Sequence, residues 1–141
     1  MKSSTNLDKE SIVKEVTDRF TRLIATINQK DAGAWEKHYS KDDFVSAIAG
    51  GESFATRNNW VQTITSHFSM RDRQHLELHE VHVIPLAPDV ALLTSQESVD
   101  MQIKNGQATK SMHIFTMIWK KEQEGWQIVH SHESWVEEPV K

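Results

Sequence analysis

From Ile12 to Ile27 apolar residues recur at steps of three and four: Ile12, Val13, Val16, Phe20, Leu23, Ile24 and Ile27. That spacing places them on one face of a long helix, predicted over about residues 8–29. The preceding segment, 1–7, has no such pattern and reads as a disordered tail, with Thr5 and Asp8 at capping-box spacing near the helix start. Asp31 can cap a short second helix carrying Trp35 and Tyr39 on one face. Phe44 to Ile48 reads as a short strand ended by Gly50-Gly51. Thr56 can cap a third helix with Trp60, Val61, Ile64 and Phe68 inward.

Beyond about residue 74 the period changes to two, giving predicted strands near 76–84, 90–103, 110–121 and 126–136. Leu76 and Leu78 have one parity and Val81 and Val83 the other, so a bulge near Glu80 is expected to keep them on one face. Pro85 and Pro88 bound a turn, and Asn105-Gly106 signals a hairpin. Residues 110–121 are apolar on both faces, with Met112, Ile114 and Ile118 on one and Phe115, Met117 and Trp119 on the other. Such a strand must be covered on both sides. The helices can cover one side, and a partner subunit is the economical cover for the other. The expectation is a single α+β domain over 8–138, three N-terminal helices packed on the concave face of a curved antiparallel sheet.

The 141 residues suffice for one domain with a core of its own, and the net charge is −4. Lysines and arginines are interspersed with acids, so no basic stripe points to nucleic acid. Without cysteine, thiolate chemistry and disulfides are excluded. The polar stretch Met1 to Ser11 and the lack of a long apolar run give no reason to expect a membrane partner, and a cytoplasmic protein is expected.

Lys30-Asp31 with Trp35, Val90 to Leu93, and above all Trp119 followed by Trp126-Gln127-Ile128-Val129-His130, His132 and Ser134 carry a resemblance to the nuclear transport factor 2-like superfamily. Within it the chain is similar to the SnoaL-like proteins and to the association domain of calcium/calmodulin-dependent protein kinase II. The resemblance implies a cone-shaped fold whose members include isomerases, dehydratases, hydrolases, binding modules and assembly domains. Carried over residue by residue, the three arginines of the kinase family's pocket fall at Glu97, Met117 and Glu133. This departure argues against an anionic ligand, and with no kinase sequence in these 141 residues a kinase-hub role is not expected.

Glu97 shares its strand face with Ser95, Val99 and Met101. A two-residue turn at Asn105-Gly106 would pair it with Ile114; a three-residue loop over 104–106, with Gly106 in a bulge, pairs it with His113. The family alignment puts Glu97 and Met117 on one face, which selects the odd loop and sets Glu97 beside His113. A carboxylate beside an imidazole suits acid–base work. Glu133 joins them if the resemblance holds, and two carboxylates in an apolar cavity would push one pKa upward. The bland reading of all three is a structural or rim ion pair. Trp35, Tyr39, Phe115, Met117 and Ser131 are the expected ligand-binding wall, whereas Trp60 and Trp119 are expected in the core.

His79-Glu80-Val81-His82 lies on a strand and is one residue short of a helical zinc-protease motif, so neither a metal nor a cofactor is expected. Asp42 and Asp43 read as turn or cap residues. Ile114, Ile118, Ile128, His130 and His132 are expected to form the convex face of a homodimer. Three functions follow: a dimeric receptor for a small, partly aromatic, neutral or cationic molecule; an acid–base enzyme of isomerase, dehydratase or hydrolase type using Glu97, His113 and Glu133; or an assembly module without catalysis.

Overall fold

The apolar stripe of the first segment lies on helix α1, Lys2–Asn28, in a computed structural model that describes residues 2–48 and 51–138. Ile12, Val16, Phe20, Leu23, Ile24 and Ile27 are buried, whereas Asp8, Lys9 and Glu10 are exposed. The helix therefore starts before the stripe does. The segment expected as a tail is its first turns, and Thr5 lies inside the helix rather than at its cap. Apolar periodicity marks only where a helix is buried. Backbone hydrogen bonds carry it on through polar residues. Met1 lies outside the described residues.

Helix α2 spans Ala32–Glu36, and the Asp31 carboxylate accepts from the Ala34 amide at 3.1 Å. Tyr39 falls beyond its end instead of on the same helix as Trp35. The Ser40 amide donates to the Ile128 carbonyl at 2.9 Å and the Ile128 amide to His38 at 2.7 Å, which draws the chain into sheet pairing. Strand β1, Val45–Ile48, is followed by β2, Glu52–Phe54, which is too short to show a period in sequence. Gly51 has a φ of +83°, and Gly50 lies outside the described residues. Helix α3, Arg57–Ser69, is capped by Thr56, whose hydroxyl accepts from the Asn59 amide, and it buries Trp60 and Phe68.

The long strands are β3 (Arg71–Ala87), β4 (Val90–Ile103), β5 (Ala108–Glu122) and β6 (Gly125–Glu137). The sheet order is β2-β1-β6-β5-β4-β3, with β1 parallel to β6 and the other pairs antiparallel. Pro85, expected in a turn, lies within β3. That strand is at the sheet edge, where a missing N–H is tolerated.

Glu97 is registered against His113, as the odd loop requires. Asn105, rather than Gly106, takes the left-handed conformation, with φ of +57°. Gly106 matters for space: a Cβ there would lie 3.2 Å from the Ile103 Cγ2. The expected bulge in β3 is present, with the register shifting between Leu78 and Glu80. It returns Val81 and Val83 to the face of Leu76 and Leu78.

A second bulge was not foreseen. Ile118 pairs with His130 but Trp119 pairs with Ile128, so Val129 is the extra residue of β6. Simple alternation puts Ile128 with His130 and His132 on the convex face. The bulge turns it inward instead, where it is fully buried beside Trp119. Ile128 is thus a core residue and not part of the expected interface. Ile114 remains on the convex face, 48% exposed, with Ile118 and His130 partly covered and His132 exposed.

Ile128 and Ile114 should consequently behave differently. Ile128→Ala is expected to cost about 2–5 kcal/mol of stability, as a large-to-small change in a packed core. Ile114→Ala should cost the protomer under about 0.5 kcal/mol. Urea denaturation of dilute protein measures both, and equal costs would contradict the bulge.

Candidate functional site

Strand alternation turns Ser95, Glu97 and Val99 of β4, Ser111, His113, Phe115 and Met117 of β5, and Ser131, Glu133 and Trp135 of β6 toward the helices. Facing them is an aromatic layer. The Trp35 ring centroid lies 4.7 Å from Tyr39, 6.1 Å from Trp60 and 5.7 Å from Phe68. Large rings on the helical side and two serines on the sheet side, Ser111 and Ser131, leave a cavity of about 270 Å³. An apolar cavity of about 150 Å³ holds one benzene ring. The cone therefore has room for a ring with a short substituent.

Trp35, Tyr39, Phe115, Met117 and Ser131 line this cavity, together with His113 and Glu133. Trp60 lines it as well, in addition to its core role, whereas Trp119 is fully buried away from it. Asp42 and Asp43 are exposed, and their amides donate to the Ser40 hydroxyl in the turn.

Glu97 is fully buried and does not reach the cavity wall. One carboxylate oxygen accepts from the Ser95 hydroxyl at 2.7 Å; the other has no hydrogen-bond partner. Burial pushes its carboxyl up to about 7. The Ser95 hydrogen bond opposes this, and the negative charge of Glu133 reinforces it. Although Glu97 and His113 are register partners, the carboxylate nearest the imidazole is that of Glu133. Glu133 Oε2 lies 3.6 Å from His113 Nδ1, within ion-pair range but too long for a hydrogen bond. Nδ1 is buried and has no hydrogen-bond partner, while Nε2 lies 3.0 Å from the Ser111 hydroxyl. Trp135 stacks on the imidazole, with ring centroids 5.3 Å apart. Register alone brings residues opposite one another; rotamer and neighbouring strand choose the contact, so Glu133 rather than Glu97 faces His113.

Five polar wall residues escape sequence reasoning, His67, Arg71, Thr109, Ser111 and Glu137, and the first two carry the most distinctive chemistry. His67 lies in the last turn of α3, one and two turns on from Ile64 and Trp60, so its helical spacing could have signalled it. Burial and the nearby Arg71 charge hold its pKa below the ordinary value. Arg71 opens β3 immediately after the helix, where neither period applies. Among the described residues no group of three or more histidines and carboxylates could hold a metal ion, and no helix is long and apolar enough to cross a membrane.

The family model for the SnoaL-like domain matches residues 16–138. The chain belongs to the SnoaL-like family. Curated proteins supply no match. Solved structures with the same fold include a ketosteroid isomerase-like protein from Erwinia carotovora atroseptica SCRI1043, at 18% identity and TM-score 0.75, covering 90% of this chain and 97% of the other. Hexachlorocyclohexane dehydrochlorinase LinA-type3 from Novosphingobium barchaimii LL02 is similar at 8% identity and TM-score 0.78, covering 96% and 94%. An NTF2-like protein of unknown function from Pseudomonas putida KT2440 follows at 16% and 0.76, covering 89% and 87%. These likenesses show the nuclear transport factor 2-like fold of this SnoaL-like protein.

The buried Glu97 makes a prediction about pH. Its folded pKa, about 7, lies above the ordinary 4.5, so the folded protein holds the proton more tightly than the unfolded chain. Stability from this group is then full below about 4.5 and is lost as pH rises through about 7. Glu97→Gln should stabilise the SnoaL-like domain by on the order of 2–3 kcal/mol at pH 8 relative to its effect at pH 4.5. Chemical denaturation at the two pH values measures this, and a pH-independent difference would contradict it.

Proposed function

We propose that the cone of this SnoaL-like protein catalyses proton transfer on a small, partly aromatic molecule, in an elimination or isomerisation. The observation that carries the reading is the placement of His113 on the cavity wall with Glu133 3.6 Å from its Nδ1. Glu133 favours the tautomer with the proton on Nδ1 and stabilises the imidazolium, leaving Nε2 as the base. Ser111, now 3.0 Å from Nε2, turns aside as a substrate C–H approaches. Nε2 takes the proton and the C–H electron pair forms a double bond. Either a leaving group departs with its bonding electrons, or the imidazolium returns the proton to another carbon. Glu97, off the wall, does not touch the substrate. That similar folds are named as a ketosteroid isomerase-like protein and a dehydrochlorinase supports this class of chemistry.

Hydrogen–deuterium exchange tests the reading without knowledge of the natural substrate. A panel of cyclic ketones and β-hydroxy ketones is incubated with protein in deuterium oxide, and deuterium at the acidic carbon is followed by NMR. The wild type should accelerate exchange of at least one compound. His113→Ala should lower the rate by about 10²–10⁴-fold, the usual contribution of a positioned base. Glu133→Gln should lower it less. Binding without exchange, or exchange indifferent to His113, would leave a receptor instead of an enzyme.

Assembly belongs to the same reading. The convex face exposes Ile84 and Ile114 at 55% and 48%, and a second copy is the occupant we propose for it. Light scattering at micromolar concentration should give a dimer, which Ile114→Asp dissociates; a monomeric wild type would remove this part.

A further inference from the structure

The cavity wall carries one arginine, and that arginine is held in place. Arg71 Nη1 donates to Gln74 Oε1 at 2.8 Å. Gln74 is buried, and its Nε2 donates to the Ile27 carbonyl at the end of α1 at 2.6 Å, which fixes the amide with its oxygen toward Arg71. The backbone of Arg71 is tied as well, since Lys30 Nζ donates to its carbonyl. A guanidinium has five N–H donors, and a single one is used in this relay. Among the described residues no carboxylate lies within ion-pair distance of Arg71. Glu133 acts on it only from farther away, being itself turned to His113. A half-buried cation, aimed by a dedicated hydrogen-bond relay and lacking a protein counter-ion, is an incomplete arrangement.

We propose that Arg71 is the anchoring residue for a carboxylate or comparable oxyanion on the ligand, making the substrate class small aromatic or alicyclic acids. The inference deepens the proposed function and rests on that reading's assignment of the cone as the ligand site. It reverses the charge preference that the residues at 97, 117 and 133 suggest in sequence. Glu97 is off the wall, Glu133 is turned to the imidazole, Glu137 lines the wall but is exposed to water, and the cation at Arg71 was invisible to strand and helix periodicity. The fork geometry of a guanidinium suits bidentate capture of a carboxylate. The aromatic layer of Trp35, Tyr39 and Trp60 takes the apolar body.

Calorimetric titration at pH 8 with three matched probes, 3-phenylpropanoate, 3-phenylpropanamide and 3-phenylpropylammonium, tests the assignment. The acid should bind at least about tenfold more tightly than the amide, and the ammonium compound weakest. Arg71→Met should erase the acid's advantage while amide affinity stays within about threefold, which also reports an intact cavity. Should that variant lose amide binding too, Arg71→Lys decides: it keeps the charge without the fork, so part of the acid preference should survive. An acid bound no better than the amide, no binding by any probe, an acid preference that persists in Arg71→Met, or one wholly absent from a folded Arg71→Lys would each overturn the proposal. Because the readout is binding alone, loss of the catalytic reading through absent deuterium exchange would leave this result standing, and the converse holds.

Discussion

The cavity depends on strand parity. Side chains alternate across a sheet, so one residue of slip exchanges the inner and outer sets. Three local features keep the inner set in phase: the odd loop over 104–106, the bulge at His79 and the bulge at Val129. An even loop would set Glu97 against Ile114, so His113, Phe115 and Met117 would no longer share its face. Without the Val129 bulge, either Ile128 or the pair Ser131 and Glu133 would face outward. The acid–base groups and the apolar floor are therefore both consequences of where the strands are irregular.

Given that phase, the shape of the site follows from side-chain size. On the helical side Trp35, Tyr39, Trp60 and Phe68 pack ring against ring and make a stiff wall. On the sheet side the wall serines Ser111 and Ser131 are small and buried, so the strands cannot fill the space opposite. Ser111 also meets the His113 imidazole, and Ser95, behind the wall, the Glu97 carboxylate. Small serines thus supply both space and polarity on the sheet side.

Much of this was legible in sequence because it obeys a period. The stripe from Ile12 to Ile27, the caps Asp31 and Thr56 and the four long strands follow from spacing and turn chemistry, whereas the Glu97–His113 register needed the family resemblance to choose between two hairpin loops. What escaped was aperiodic. Strand β2 is three residues long, Tyr39 is pulled from its helix by pairing with Ile128, and Arg71 sits at a helix-to-strand junction. The Val129 bulge has no glycine or proline to announce it, and it misplaced Ile128 by one face. The contact between His113 and Glu133 bridges neighbouring strands diagonally and depends on rotamers that no linear pattern encodes.

Burying Glu97 works against stability once it is ionised, and hydrogen bonds from Ser95 and the backbone offset part of that cost. The neutral form explains how two carboxylates coexist at one end of an apolar cone. Below about pH 7 Glu97 carries no charge, which leaves Glu133 and Glu137 as the carboxylates of the wall that holds Arg71. As pH rises and Glu97 ionises, its field adds to that of Glu133. A ligand anion at Arg71 then meets a weaker net attraction. Glu97 can thereby set the charge of the site without touching the molecule inside it.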